Sequence, residues 1–192
     1  CPALLKKYNT KTVYNLFSGL SAVPMALIFV VYLIDPTGLD KLHWVIVEGV
    51  LLLGAGAGLG GSSVCQSVMI SDCIDYEEYN HGFRPDGVFF SGQSFITKFQ
   101  AGIASIVSAY VYAAVGYTDV NIASMNAALE KGANFAADYP DYAKAMWLLI
   151  SVPPAIGMII SIIPTLKYEL DKKTHDNILA ALVEKHSDGE DV

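Results

Sequence analysis

The 192-residue chain is 53% hydrophobic and only 16% charged, with a formal net charge of −7, whereas an average soluble domain carries about 25% charged residues. Its apolar residues gather in four nearly charge-free windows, 12–34, 44–70, 88–117 and 145–166, each long enough for the roughly 20 residues that a helix needs to cross a hydrocarbon core. That pattern excludes an ordinary soluble enzyme and argues against a barrel, whose strands read as short alternating segments. It predicts an all-α membrane protein with four transmembrane helices, because lipid leaves a helix no unpaired backbone groups.

In chain order, residues 1–11 form a basic connecting segment and 12–34 the first span, with Pro24 near its middle as a predicted kink. The second span, 44–70, contains "GVLLLGAGAGLGG". Gly56-x-Gly58-x-x-Gly61 matches the dinucleotide-binding spacing, but neither flank offers the soluble βαβ surroundings that such a site needs. Gly54, Gly58 and Gly61 instead fall along one helical face, continued by Cys65, where small residues let a second helix approach closely. Glu48, about one turn from the outer end of this span, reads as a structural charge. His43, Trp44 and Tyr117 at predicted outer boundaries, and Tyr168 at an inner one, fit an aromatic belt.

The stretch "SDCIDYEEYNHGFRPDG", 71–87, puts five carboxylates, one arginine and a histidine between two apolar runs. It is predicted to be a connecting loop in water. Asp72-x-x-Asp75 lacks the further ligand spacing of a metal motif, so no metal site is predicted. Gly82 and Gly87 can supply positive φ, and "RPDG" suits a turn with proline in second place.

The third span, 88–117, carries Lys98. At about 1.5 Å per residue its ammonium would lie roughly 15 Å deep, where a charge is expensive and usually functional. Ser91, Ser94, Ala101, Gly102, Ser105 and Ser108 accompany it at helical spacing. A polar stripe through a span faces a bundle interior or an aqueous cavity, so Lys98, with Ser91, Gln93 and Ser94, is expected to point inward.

Residues 118–144 read as an outer loop in which "NIASMNAALEKG" forms a short helix capped at Gly132. The fourth span, 145–166, contains Pro153-Pro154. In the tail, 167–192, Ile178, Leu179, Leu182 and Val183 give an amphipathic stripe ahead of a disordered acidic terminus. Eight basic residues (Lys6, Lys7, Lys11, Arg84, Lys167, Lys172, Lys173, Lys185) lie in the first, third and fifth connecting segments, against Lys41, Lys131 and Lys144 in the other two. By the positive-inside rule both termini are expected to be cytoplasmic. Cys1, Cys65 and Cys73 form no disulfide framework. An opening without initiator Met or signal-peptide layout reads as part of a longer chain.

"SDCIDYEEYNHGFRPDG" followed by "SGQSFITK", together with "PALLKKYNTKTVY" and "YELDKKTHDNILAAL", resembles the glycoside–pentoside–hexuronide:cation symporters, the melibiose-carrier-like branch of the major facilitator superfamily. The resemblance runs along essentially the whole chain. It implies that the four spans are helices 9–12 of a twelve-helix transporter in the cell membrane, without enzymatic activity or catalytic residues. The implied function is sugar or glycoside symport with Na⁺ or H⁺ by alternating access, with substrate near the midplane between two halves. Partners would be the sugar, the bilayer and the N-terminal half of the same chain, not nucleic acid; beyond the coupling cation no cofactor is implied. The family's eleventh-helix lysine carries over to Lys98 and the hydroxyl residue four before it to Ser94. Asp72, Asp75, Tyr76, Glu77, Arg84 and Gly87 would belong to a cytoplasmic gate, with Glu78 and the first-loop lysines Lys6, Lys7 and Lys11 supplying charge pairs. The competing readings are a non-transporting sensor or scaffold derived from a half-transporter, and a membrane-bound NAD(P) oxidoreductase using the glycine run.

Overall fold

The computed structural model describes residues 2–5, 7–39, 41–168, 170 and 172–189. Lys6, Cys1 and the acidic terminus from Glu190 lie outside the described residues. The described chain is all-helical: α1 (Pro2–Leu5), α2 (Thr10–Ile34), α3 (Leu42–His81), α4 (Asp86–Ala114), α5 (Asp119–Leu129), α6 (Phe135–Asp138), α7 (Pro140–Thr165) and α8 (Lys172–Gly189). Three of these, α2, α3 and α7, are each long and apolar enough to cross a membrane. The segment 88–117, expected to be a fourth span, qualifies only when α4 is joined with α5, from which it is bent by 71°. The serines, Gln93, Lys98 and Gln100 on α4 dilute its apolar character.

The helices α2, α3 and α7 form the packed part of the bundle. Met25, Ile28, Ala55 and Ala155 make its buried centre, with Leu51 and Trp147 against them. The small face of α3 meets α2 there. A Cβ on Gly58 would stand 2.6 Å from Ser21 N and 2.7 Å from Phe17 O, and one on Gly61 would overlap the Phe17 ring. Gly54 faces Pro24 Cγ at 3.5 Å, measured to an added Cβ, and Cys65 continues the seam fully buried. In lipid this contact is held by van der Waals fit between closely approaching backbones. Tyr32 stacks on Trp147 at 6.1 Å between centroids, tying α2 to α7.

The 40 residues of α3 extend about 60 Å, roughly twice the hydrocarbon thickness. Its last turns, 71–81, are therefore a helical projection and not the connecting loop expected for 71–87. Asp72, Asp75 and Glu78 recur every third residue, so their carboxylates share one side of the helix and find partners there. The helix stops at Gly82, whose φ of 75° is left-handed and whose N–H donates to Glu78 O at 2.9 Å. Only residues 82–85 connect α3 to α4. Gly87, offered as a second positive-φ position, instead lies in the first turn of α4.

The remaining differences are smaller. The outer segment 118–144 holds α5 and α6; Gly132 has φ 95° and its N–H donates to Leu129 O at 3.0 Å. Asn134 caps α6 by accepting from Ala137 N at 3.0 Å. The tail forms α8, which packs against α3 with Ile178 and Leu182 buried, while Leu179 and Val183 stay exposed.

Candidate functional site

Two regions gather the residues singled out from the sequence. The first is α4, which has no buried residue and touches α3 and α7 only sparsely. Ile96, Gln100, Ile103 and Val107 line a cleft of about 830 Å³ that α4 shares with α3 and α7. Lys98 is two residues from both Ile96 and Gln100, or roughly 200° around the helix, and is exposed. Within this chain it therefore lies on the face of α4 away from α3 and α7. Ser91, Ser94, Gly102 and Ser105, at multiples of about one turn, share its face. Gln93 does not: it lies in the row of Gln100 and Ile103, on the cleft side. The cleft side of α4 is mostly apolar, with Ile96, Phe99, Ile103 and Val107 beside Gln100 and Ser108, the last of which the sequence had grouped with Lys98.

The second region is the charged end, where the start of α2, the end of α3, the start of α4, the end of α7 and α8 meet. Asp72, Asp75 and Glu78 are each more than nine-tenths buried. Arg84 Nη1 donates to Asp75 Oδ1 at 2.8 Å and Glu78 Oε2 at 2.7 Å, while its Nε reaches Asp86. Glu78 first, and Asp75 next, push the already high guanidinium pKa further up. Tyr168 donates its hydroxyl to Asp72 Oδ2 at 3.1 Å. Burial, and then the Asp72 charge, raise the tyrosine pKa far above its usual range. His175 Nε2 lies 3.1 Å from Asp75 Oδ2 and 3.5 Å from Asp72 Oδ1.

Other members of the expected gate are arranged differently. Glu77 pairs with His81 at 2.9 Å along the helix. Tyr76 is exposed, and its carbonyl accepts from Asn80. Among the described residues Lys11 does not reach a carboxylate; Nζ donates to the carbonyls of Leu166 at 3.0 Å and Tyr168 at 3.5 Å, favourable places for a cation at the end of α7. Lys7 sits 5.5 Å from the Tyr8 ring centroid. Away from this end, one Glu48 oxygen is buried without a hydrogen bond among the described residues.

A long polar stripe on an apolar helix and a charge cluster at one end of the spans now have a context. Residues 1–172 match the family described as MFS/sugar transport protein. The chain belongs to that family. It is 31% identical over 130 residues to the isoprimeverose transporter of Lactiplantibacillus pentosus; the match covers 68% of this chain and 24% of the relative. The chain thus matches about a quarter of that curated protein's length. No solved structure gives a significant match. MFS/sugar transport proteins are membrane transporters, not enzymes, so the NAD(P) oxidoreductase reading of the glycine run is without support at the family level.

For this member of the sugar-transport family, sequence reasoning did not single out Tyr168 and His175 as partners of the carboxylates. Tyr168 reads equally well as a belt residue. The signal for His175 was its spacing: it precedes Ile178 by three residues and Leu182 by seven, which puts the imidazole on the buried face of α8.

Proposed function

We propose that this chain is the C-terminal part, helices 9–12, of a cation-coupled symporter that takes up a sugar or glycoside by alternating access. In this reading α4 is the eleventh helix. The observation that carries it is the uncovered polar stripe of α4. A lysine about halfway along a span, flanked by Ser91, Ser94 and Ser105 and facing no other span of this chain, needs water or protein over it. The N-terminal half of the transporter supplies that cover, and the space between the halves is the sugar cavity. Lys98 and Ser94 contact the sugar or tune the site, and the coupling cation, Na⁺ or H⁺, is bound mainly by the other half. The resemblance to an isoprimeverose transporter favours a glycoside as substrate class.

The charged end is cytoplasmic in this account, with both ends of the chain on that side of the cell membrane. Arg84 and its carboxylates hold the ends of α3 and α4 together, as part of a gate that rearranges when the halves rock. The test is accessibility: in the full-length protein, thiol reagents should label Lys98→Cys and Ser94→Cys, and the transported sugar should protect both. Labelling of Leu53→Cys, on an exposed apolar face, should be indifferent to sugar. Sugar-independent labelling at Lys98 and Ser94 would contradict the assignment.

A further inference from the structure

We propose that His175, between Asp72 and Asp75, is a proton-binding site whose occupancy keeps α8 docked on the projecting end of α3. The site is separate from the α4 face, and nothing in the sugar-transport reading requires it.

Three carboxylates are buried side by side, and the groups facing them differ in charge. Arg84, from the α3–α4 connection, serves Asp75 and Glu78. Asp72 is met by the neutral hydroxyl of Tyr168, from the segment after α7, and by the imidazole of His175. From the α1–α2 side, Lys11 spends its ammonium on main-chain carbonyls. Tyr8, Thr10 and Asp176 line with His175 and Asp72 a cavity of about 160 Å³. One imidazole nitrogen therefore faces two aspartates at ion-pair distance. As imidazolium it attracts both. Without the proton it offers at most one neutral hydrogen bond from Nε2, and in the other tautomer it presents a lone pair to the carboxylates.

Ile178 and Leu182 are buried, but Leu179 and Val183 on the neighbouring positions are exposed. The contact of His175 with Asp72 and Asp75 joins α8 to the end of α3, and local opening of a helix follows the contacts that hold it. Removing the proton from between the two aspartates therefore loosens the link between α8 and α3.

The test is amide hydrogen exchange of residues 172–189 in the full-length protein, comparing wild type, His175→Lys and His175→Gln at each pH, so that the intrinsic pH dependence cancels. At the acid end wild type should match the lysine variant, and the glutamine variant should exchange roughly five- to tenfold faster, the effect of about one ion pair. At the alkaline end wild type should instead match glutamine. A wild-type to lysine ratio that stays constant across the range would overturn the proposal. Protection of α2 reports whether each variant is folded. Should the lysine variant fail that check, the wild-type to glutamine ratio alone decides: convergence with rising pH supports the site and constancy overturns it. Because the readout is exchange and not uptake, this test and the sugar test fail independently.

Discussion

Arg84 Nη1 stands 2.8 Å from Asp75 Oδ1, nine residues back along the projecting end of α3. The carboxylate is more than nine-tenths buried, whereas the guanidinium side chain is 44% exposed. The pair is therefore half in water, and its removal strands buried carboxylates more than it costs Coulomb energy.

Arg84→Gln should consequently destabilise the purified protein by about 1–2 kcal/mol, less than the ~3–5 kcal/mol of a fully buried pair. Sugar uptake should slow more than sugar binding weakens. Thermal unfolding together with separate equilibrium binding and uptake measurements checks both parts. A loss of binding with unaltered turnover would argue against a gate.

The glycine seam separates helix packing from any nucleotide role. Gly58→Ala places a methyl against the Ser21 and Phe17 backbone, which cannot give without moving α2, so a loss of about 1–3 kcal/mol is expected. Gly56→Ala meets nothing within 4 Å and should be neutral. Melting temperatures of the two variants in the same detergent decide it. A nucleotide fingerprint would make both glycines sensitive.

On α4, Lys98 is exposed and away from the cleft that α4 shares with α3 and α7, so Lys98→Met should leave the melting temperature unchanged. If the residue helps bind sugar, affinity should fall by about tenfold for each ~1.4 kcal/mol of lost interaction, with Lys98→Arg retaining part of it. Equilibrium binding to the full-length protein provides the number.

Tyr168 gives a pH prediction with a definite sign. Its folded pKa is raised above the ordinary value of 10.0 by burial and by Asp72. The stability it contributes is thus complete below that ordinary value and is lost only as pH climbs through the higher folded one. Spectrophotometric titration should find one tyrosine ionising late in wild type and missing in Tyr168→Phe. The same variant should lose about 1 kcal/mol at neutral pH through the missing hydrogen bond to Asp72.

How much of this was legible in the sequence follows from the physics of each element. The apolar windows are long, and lipid permits few alternatives, so the helical class and the positions of α2, α3 and α7 could be read directly. The seam of Gly54, Gly58 and Gly61 is a local periodicity and equally readable. The projecting end of α3 was not, because a dense run of charges has the composition of a loop, and only the three-residue spacing of Asp72, Asp75 and Glu78 hints at a helix with one paired side. Tyr168 and His175 lie about a hundred residues from their aspartates, a separation over which no pattern in one sequence reports contact. The orientation of Lys98 depended on which face of α4 the other spans cover, and that is a tertiary fact.

The central claim of the proposed function is that a cation running down its gradient drives the accumulation of a sugar. Uptake of labelled glycosides into vesicles containing the full-length protein, with a Na⁺ or a pH gradient imposed in turn, measures it directly. Accumulation driven by one of the two gradients, and abolished when that gradient is collapsed, is the predicted result. Vesicles that accumulate no sugar under either gradient would contradict it.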